Sequence, residues 1–357
     1  MVAAGLLFDM AELQGSERSR FGYKRAAKAI VALPAPVDEV VRSGSVGDVQ
    51  YIGPASQRVL EELILQGSTA TVDAAVAASP RRVEIERRRR MRDGFISHYV
   101  MQQAHALPLP ATVVSGARFR GDFQMHSTWS DGVERLATMA EACMGLGHTC
   151  LGITDHSHGL PVARGMSMDS ARRQGQEIDR LNERYRGRFR IFKGIEANIR
   201  ADGSLDLTRE ERLTFEFVVA SPHALLRRDE DQTARMLAAV RAPGIAMLGH
   251  PRGRMYNTRP GVTADWRRVF EAAAERDVAI ELDGNWHRQD IDWRLARAAL
   301  DVGCLFALDS DAHSVDELAF TQFAIAHARL AEIPSERVIN TWPDERLAEW
   351  MALTRAS

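Results

Sequence analysis

From residue 118 onward, short β-branched or aromatic runs alternate with helical runs, and this alternation limits the fold more than any other feature of the chain. The strand-like runs lie near 118–125, 149–155, 189–199, 215–222, 245–250, 279–284 and 305–310. Helical patterns at 133–146, 167–186, 229–240 and 263–276 fall between them. Strands that alternate with helices run parallel, because each return across the sheet needs a crossover. Seven such strands build either a barrel or an open doubly wound sheet, and periodicity does not choose between the two.

Chemistry-bearing side chains stand where these runs end. The first ends in QMHSTWSDG, with His126 and Asp131, and the second in ITDHSHG, with Asp155 and His156. The third contains KGIEANI, with Glu196. The fourth, fifth and seventh end in VVASPHA, LGHPRGR and ALDSDAHS, with His223, His250, Asp311 and His313. In a parallel barrel such ends converge on one mouth. Imidazole and carboxylate suit divalent ions such as zinc, manganese and iron. One tetrahedral site uses about four donors. The eight candidates His126, Asp131, His156, Glu196, His223, His250, Asp311 and His313 therefore suggest two or three ions, with Glu196 as a bridge. Such a cluster can generate hydroxide near neutral pH and hold the oxygens of a phosphoryl group. A single histidine at a strand end is commonly structural. The argument rests on the recurrence after one apolar run after another.

Residues 1–80 read as helices with short connections. Residues 21–33 have helical apolar spacing and stop at Pro34 and Pro36, Gly44 is a C-cap, and 56–67 is amphipathic. An arginine-rich helix and linker, 81–117, follows, and the barrel occupies 118–357. The formal net charge is −2, from 46 basic and 48 acidic residues. It divides into +4 for residues 1–120 and −6 for 121–357, so the two parts do different jobs. Three cysteines, none in a CxxC pair, imply no disulfide framework and a reducing, cytoplasmic setting. No membrane span and no signal peptide are expected.

The motifs HSTWSDG, GITDHS, KGIEANI, SPHA, GHPRGR and DSDAHS together resemble the PHP (polymerase and histidinol phosphatase) metal-dependent phosphoesterases. Within these, the likeness is to the C-terminal PHP domain of bacterial family X DNA polymerases, with DGSLDL at 202–207 and the tail VINTWP in support. The resemblance implies an α/β fold: a distorted (β/α)7 barrel preceded by a small all-α, helix-hairpin-helix-like domain. It also implies a trinuclear centre of Zn²⁺ or Mn²⁺. His126, Glu196 and Asp311 would hold the first ion, Glu196, His223 and His250 the second, and Asp131, His156 and His313 the third. Arg254 would meet a phosphate oxygen, and Asp155 would orient a ligand or the water. Gln124 departs from the HxH with which such proteins often open, which leaves the first ion with one protein ligand fewer.

Residues 21–33 and VQYIGPASQRVLEELI look like the helices and hairpin that begin the same polymerases. Here YIGP replaces the usual PGIG, so Tyr51 stands for a glycine and Pro54 lacks an amide donor. The arginines of 81–92 are either a DNA-contacting helix or a solvated face offset by Glu84 and Glu86. Between about residues 93 and 117 there is no room for a nucleotidyltransferase palm, so no DNA synthesis is expected. The leading expectation is a monomeric hydrolase that cleaves phosphate esters with a metal-activated hydroxide, on DNA and at 3′ ends. A small-molecule phosphatase of the histidinol-phosphate kind is the alternative, and a non-catalytic DNA-binding protein with a decayed PHP domain the third. Trp286, His287 and Trp293 are candidates to shape the pocket mouth.

Overall fold

The computed structural model describes residues 1–356 as two compact units. The first comprises Met1–Ala106 with Tyr256–Arg259, and the second Leu107–Met255 with Pro260–Ser357.

The first unit is helical: α1 (Val2–Leu13), α2 (Glu17–Ala32), α3 (Val37–Arg42), α4 (Pro54–Leu65), α5 (Ala70–Ala77), α6 (Arg82–Arg90) and α7 (His98–Ala106). Ser16 caps α2 by accepting from the Ser19 amide, and Pro34 and Pro36 follow its end. Gly44 takes the left-handed conformation (φ 78°) after α3. Tyr51 also has positive φ (72°), and the Arg25 guanidinium lies 3.8 Å from its ring centre.

Four arginines in and beside α6 face buried acids. Arg89 Nε and Arg92 Nη2 donate to the two oxygens of Asp9 at 2.6 and 2.7 Å. Arg81 pairs with Glu12, and Arg88 reaches both Glu12 (3.5 Å) and Glu84 (2.8 Å). Asp9 and Glu12 are both buried. This stretch holds α6 to α1.

The second unit is built on a parallel sheet in the order β1 (Cys150–Ile153), β2 (Arg190–Asn198), β3 (Phe217–Ser221), β4 (Met247–Leu248), β5 (Ala279–Asp283) and β6 (Phe306–Asp309). Around it run α8 (Leu136–Gly145), α9 (Met168–Arg184), α10 (Arg209–Arg212), α11 (Thr233–Val240), α12 (Trp266–Ala274), α13 (Trp293–Asp301), α14 (Thr321–Leu330) and α15 (Asp344–Ala356). Every residue of β1, β3, β4, β5 and β6 is buried, as both faces of a parallel sheet require.

The sheet has six strands, which corrects the expected seven. Residues 118–125 form no ladder strand and make one isolated bridge, Met125 with Ala312. Side chains do much of the joining there. Asp309 Oδ1 accepts from the Phe123 amide (2.7 Å), Asp122 Oδ2 from the Ser310 amide (3.1 Å), and Thr154 Oγ1 from the Met125 amide (3.1 Å). Backbone bonds from Gly152 to Asp122 (2.8 Å) and from His126 to Ala312 (2.8 Å) tie the segment to the β1 side and the β6 side. A strand paired through carboxylates satisfies its amides without a ladder.

Candidate metal centre

All eight predicted ligands meet at the C-terminal ends of the strands. Glu196 lies within β2, and His156, His223, His250, Asp311 and His313 lie in the turns after β1, β3, β4 and β6. His126 and Asp131 lie in the loop after the 118–125 segment. The Glu196 carboxylate is the hub. Its Oε1 is 3.0 Å from His250 Nε2 and 3.5 Å from His223 Nε2. Its Oε2 is 2.6 Å from His156 Nδ1 and 3.8 Å from His126 Nε2. Asp311 Oδ1 lies 3.2 Å from His126 Nε2. Asp131 Oδ1 lies 3.4 Å from His313 Nε2 and 3.6 Å from His156 Nε2. Two of these positions, His250 (φ 23°) and Asp311 (φ 52°), have left-handed backbone, which a non-glycine residue adopts only when its surroundings impose it.

Electrostatics follow this crowding. Burial by itself would raise the Glu196 pKa, but His156 and His223 outweigh it and hold the carboxylate well below its ordinary range. Burial lowers His126 and His223, which favours the neutral, ligating imidazole. His313 is drawn the other way, up to about 9, because Asp131 and Asp311 overcome its burial.

Several buried polar atoms here have no hydrogen-bond partner among the described residues: both amide atoms of Gln124, His126 Nδ1, His223 Nε2 and His250 Nδ1. Buried polar atoms rarely go unpaired, and this group of them is nitrogen- and oxygen-rich. His156, Glu196 and His223 place ligand atoms within 4.8 Å of one another, as do His126, Asp131, His156 and His313. The donor set fits borderline or hard divalent ions. Outer contacts orient the ligands: His223 Nδ1 meets Asn198 Oδ1 (3.2 Å), and His313 Nδ1 donates to the Asp311 carbonyl (2.8 Å).

The two residues expected to act beside the metals have other partners. Asp155 is fully buried and accepts from the Ser127 and Ser130 amides (2.8 and 3.0 Å), both their hydroxyls (2.7 and 2.5 Å) and Gln174 Nε2 (2.6 Å). Five donors leave it positioning the loop that carries His126 and Asp131. Arg254 is also buried, and its guanidinium donates to the Arg288 and Gln289 carbonyls (3.1 and 2.6 Å) and to Asp292 (3.2 Å). In this arrangement it braces the 288–292 loop.

That loop carries a residue that no sequence motif marks. Arg288 Nη1 lies 2.8 Å from Asp311 Oδ2 and 3.7 Å from Asp283 Oδ2. In the sequence the neighbouring tryptophans and His287 are more conspicuous. Glu281 and Asp283 of β5 were also missed, and both are fully buried beneath the ligands. Two acids within the apolar run AIELD were the available signal.

His327 supports the same loop and yields a pH prediction. Its Nδ1 accepts from the Trp293 amide (3.1 Å), so its Nε2 carries the proton toward Gln289 Oε1 (2.8 Å). Burial, with Arg254 adding to it, pushes its pKa down to about 3. The unfolded chain takes up this proton near pH 6.5 and the folded chain does not, so the stability due to His327 is present above 6.5 and falls as pH drops below it. Metal-free protein should lose about 2 kcal/mol from this group between pH 7 and 5. In urea titrations at the two pH values, His327→Gln should lose correspondingly less. An equal loss in both proteins would refute the assignment.

No protein-family model matches the chain. It is 33% identical over 224 residues to the DNA polymerase/3'-5' exonuclease PolX of Bacillus subtilis, a match over 62% of this chain and 39% of that protein. It is also 30% identical over 173 residues to a probable phosphatase of Aliivibrio fischeri, a match over 45% of this chain and 67% of that protein. The chain belongs to the PHP superfamily of phosphatases. The PHP relatives differ in length, and this chain spans well under half of the polymerase. A solved histidinol phosphate phosphatase from Lactococcus lactis aligns with TM-score 0.45 and 17% identity over 58% of this chain and 93% of that one. No helix among the described residues is long and apolar enough to cross a membrane.

Proposed function

We propose that the chain is a metal-dependent phosphoesterase, a hydrolase of phosphate ester bonds that uses Zn²⁺ or Mn²⁺. The observation that carries this is Glu196, one buried carboxylate within 3.8 Å of four imidazoles. The residues that would hold ions are Glu196 with His223 and His250, Asp131 with His156 and His313, and His126 with Glu196 and Asp311. Such ions would lower the pKa of water and offset charge on the phosphoryl oxygens. Asp131, His313 and His223 keep some solvent exposure, so the ester enters from their side. Asp155 keeps the His126–Asp131 loop in register, and Arg254 does the same for the 288–292 loop.

The substrate favoured is a phosphate ester at a DNA 3′ end, supported by the 224-residue match to a 3'-5' exonuclease. A second reading, a phosphatase of small metabolites, has its own support. Three of the arginines of 81–92 that could have met DNA, Arg81, Arg89 and Arg92, are engaged by Asp9, Glu12 and Asp73. The deciding experiment compares turnover of end-labelled DNA with that of a panel of phosphorylated metabolites, in Mn²⁺ or Zn²⁺. Processing of DNA alone removes the metabolite reading, and the converse removes the DNA reading. No turnover of either, with no metal by elemental analysis, removes both.

A further inference from the structure

We infer that Arg288 takes the place of one cation, so that this centre loads two ions and not three. The inference rests on the metal centre proposed above. Three donors surround the position it concerns: His126, Glu196 and Asp311. Asp311 is shared there, with Oδ1 facing His126 Nε2 at 3.2 Å and Oδ2 facing Arg288 Nη1 at 2.8 Å.

The guanidinium lies between two carboxylates, with Asp283 Oδ2 3.7 Å away, and the Arg288 backbone is fixed by its carbonyl accepting from Arg254 Nε at 3.1 Å. Arginine stays protonated at any pH the fold survives.

Gln124 supplies an independent observation. It precedes His126 by two positions, in the QMH with which the ligand motifs open. It is fully buried, and both its amide atoms lack hydrogen-bond partners among the described residues. A neutral amide is a much weaker ligand than an imidazole for zinc-like ions. One position therefore combines a weakened ligand set with a resident positive charge. A divalent ion and a guanidinium on the two oxygens of one carboxylate repel each other in a site that screens poorly. The other two groups, Glu196–His223–His250 and Asp131–His156–His313, have no arginine within ion-pair distance among the described residues.

The test is metal content by elemental analysis after loading with Mn²⁺ or Zn²⁺ and removal of loosely held ion, a readout independent of turnover. Wild type should hold two ions per chain. Arg288→Met should hold three, because the charge is gone and three protein ligands suffice for a third ion. Arg288→Gln repeats the test should the methionine variant fail to fold, with circular dichroism confirming the fold of each. Three ions in wild type, or two in wild type and in the folded neutral variants alike, would overturn the inference while leaving the metal centre standing. None or one in wild type would overturn the metal centre itself.

Discussion

Glu196→Gln should abolish phosphoesterase turnover, by about 10³-fold or more, and release metal in the same step. The substituted amide has nearly the same shape and can still accept a hydrogen bond. It lacks the negative charge on which His126, His156, His223 and His250 converge. Glu196 is the carboxylate of the Glu196–His223–His250 position and lies 2.6 Å from His156 of the other, so the loss is not confined to one ion. Removing one partner from a buried charged cluster also leaves the others uncompensated. The measurements are kcat/KM on whichever substrate the turnover comparison selects, metal content, and circular dichroism to show that the variant is folded. A folded variant that keeps its metal and loses less than tenfold in kcat/KM would refute the role of Glu196 as the hub of the centre.

The second large effect lies in the helical unit. Asp9→Ala should destabilise the protein by about 3 kcal/mol, because it strips a buried carboxylate from two guanidiniums. Asp9 is 1% exposed, and Arg92, one of its partners, is 10% exposed. Arg92 keeps the Gly5 carbonyl (2.7 Å) and Asn257 Oδ1 (2.8 Å), and Arg89 is partly solvated, which sets the estimate at the lower end for a broken buried pair. Arg82→Ala is the control. Its pair with Glu86 is largely exposed, so its loss should cost about 0.5 kcal/mol or less. Urea unfolding followed by far-ultraviolet circular dichroism reads both. Equal, small effects would show that the inward arginines carry no more weight than the surface pair.

The candidate site was more legible than the fold around it. His126, His156, His223, His250, Asp311 and His313 could be read because each follows an apolar run, and parallel strands bring their ends together regardless of loop detail. Asp9 and Glu12 were visible only as interruptions of an apolar stretch, and their partners lie about 70 to 80 residues away in the chain. The arginines of 81–92 had two readings, and the structure engages four of them with these acids and their neighbours. The seventh strand failed because Asp122 and Asp309 replace part of its ladder, and side-chain pairing leaves no periodic signature. Arg288 was not legible for a similar reason: it lies near the mouth in sequence, as Arg254 does, and residue identity does not say which carboxylate a guanidinium meets.

The sequence by itself determined the parallel α/β architecture, the strand-end set of imidazoles and carboxylates, and the weakened ligand at Gln124. These follow from the period of the apolar runs and from residue identity. Only the tertiary structure decided that Glu196 is the hub, that Asp155 meets Ser127, Ser130 and Gln174, that Arg254 contacts the 288–292 loop, and that Arg288 reaches Asp311. Those outcomes depend on distances of a few ångströms between residues far apart in the chain, where burial makes each charge seek a partner.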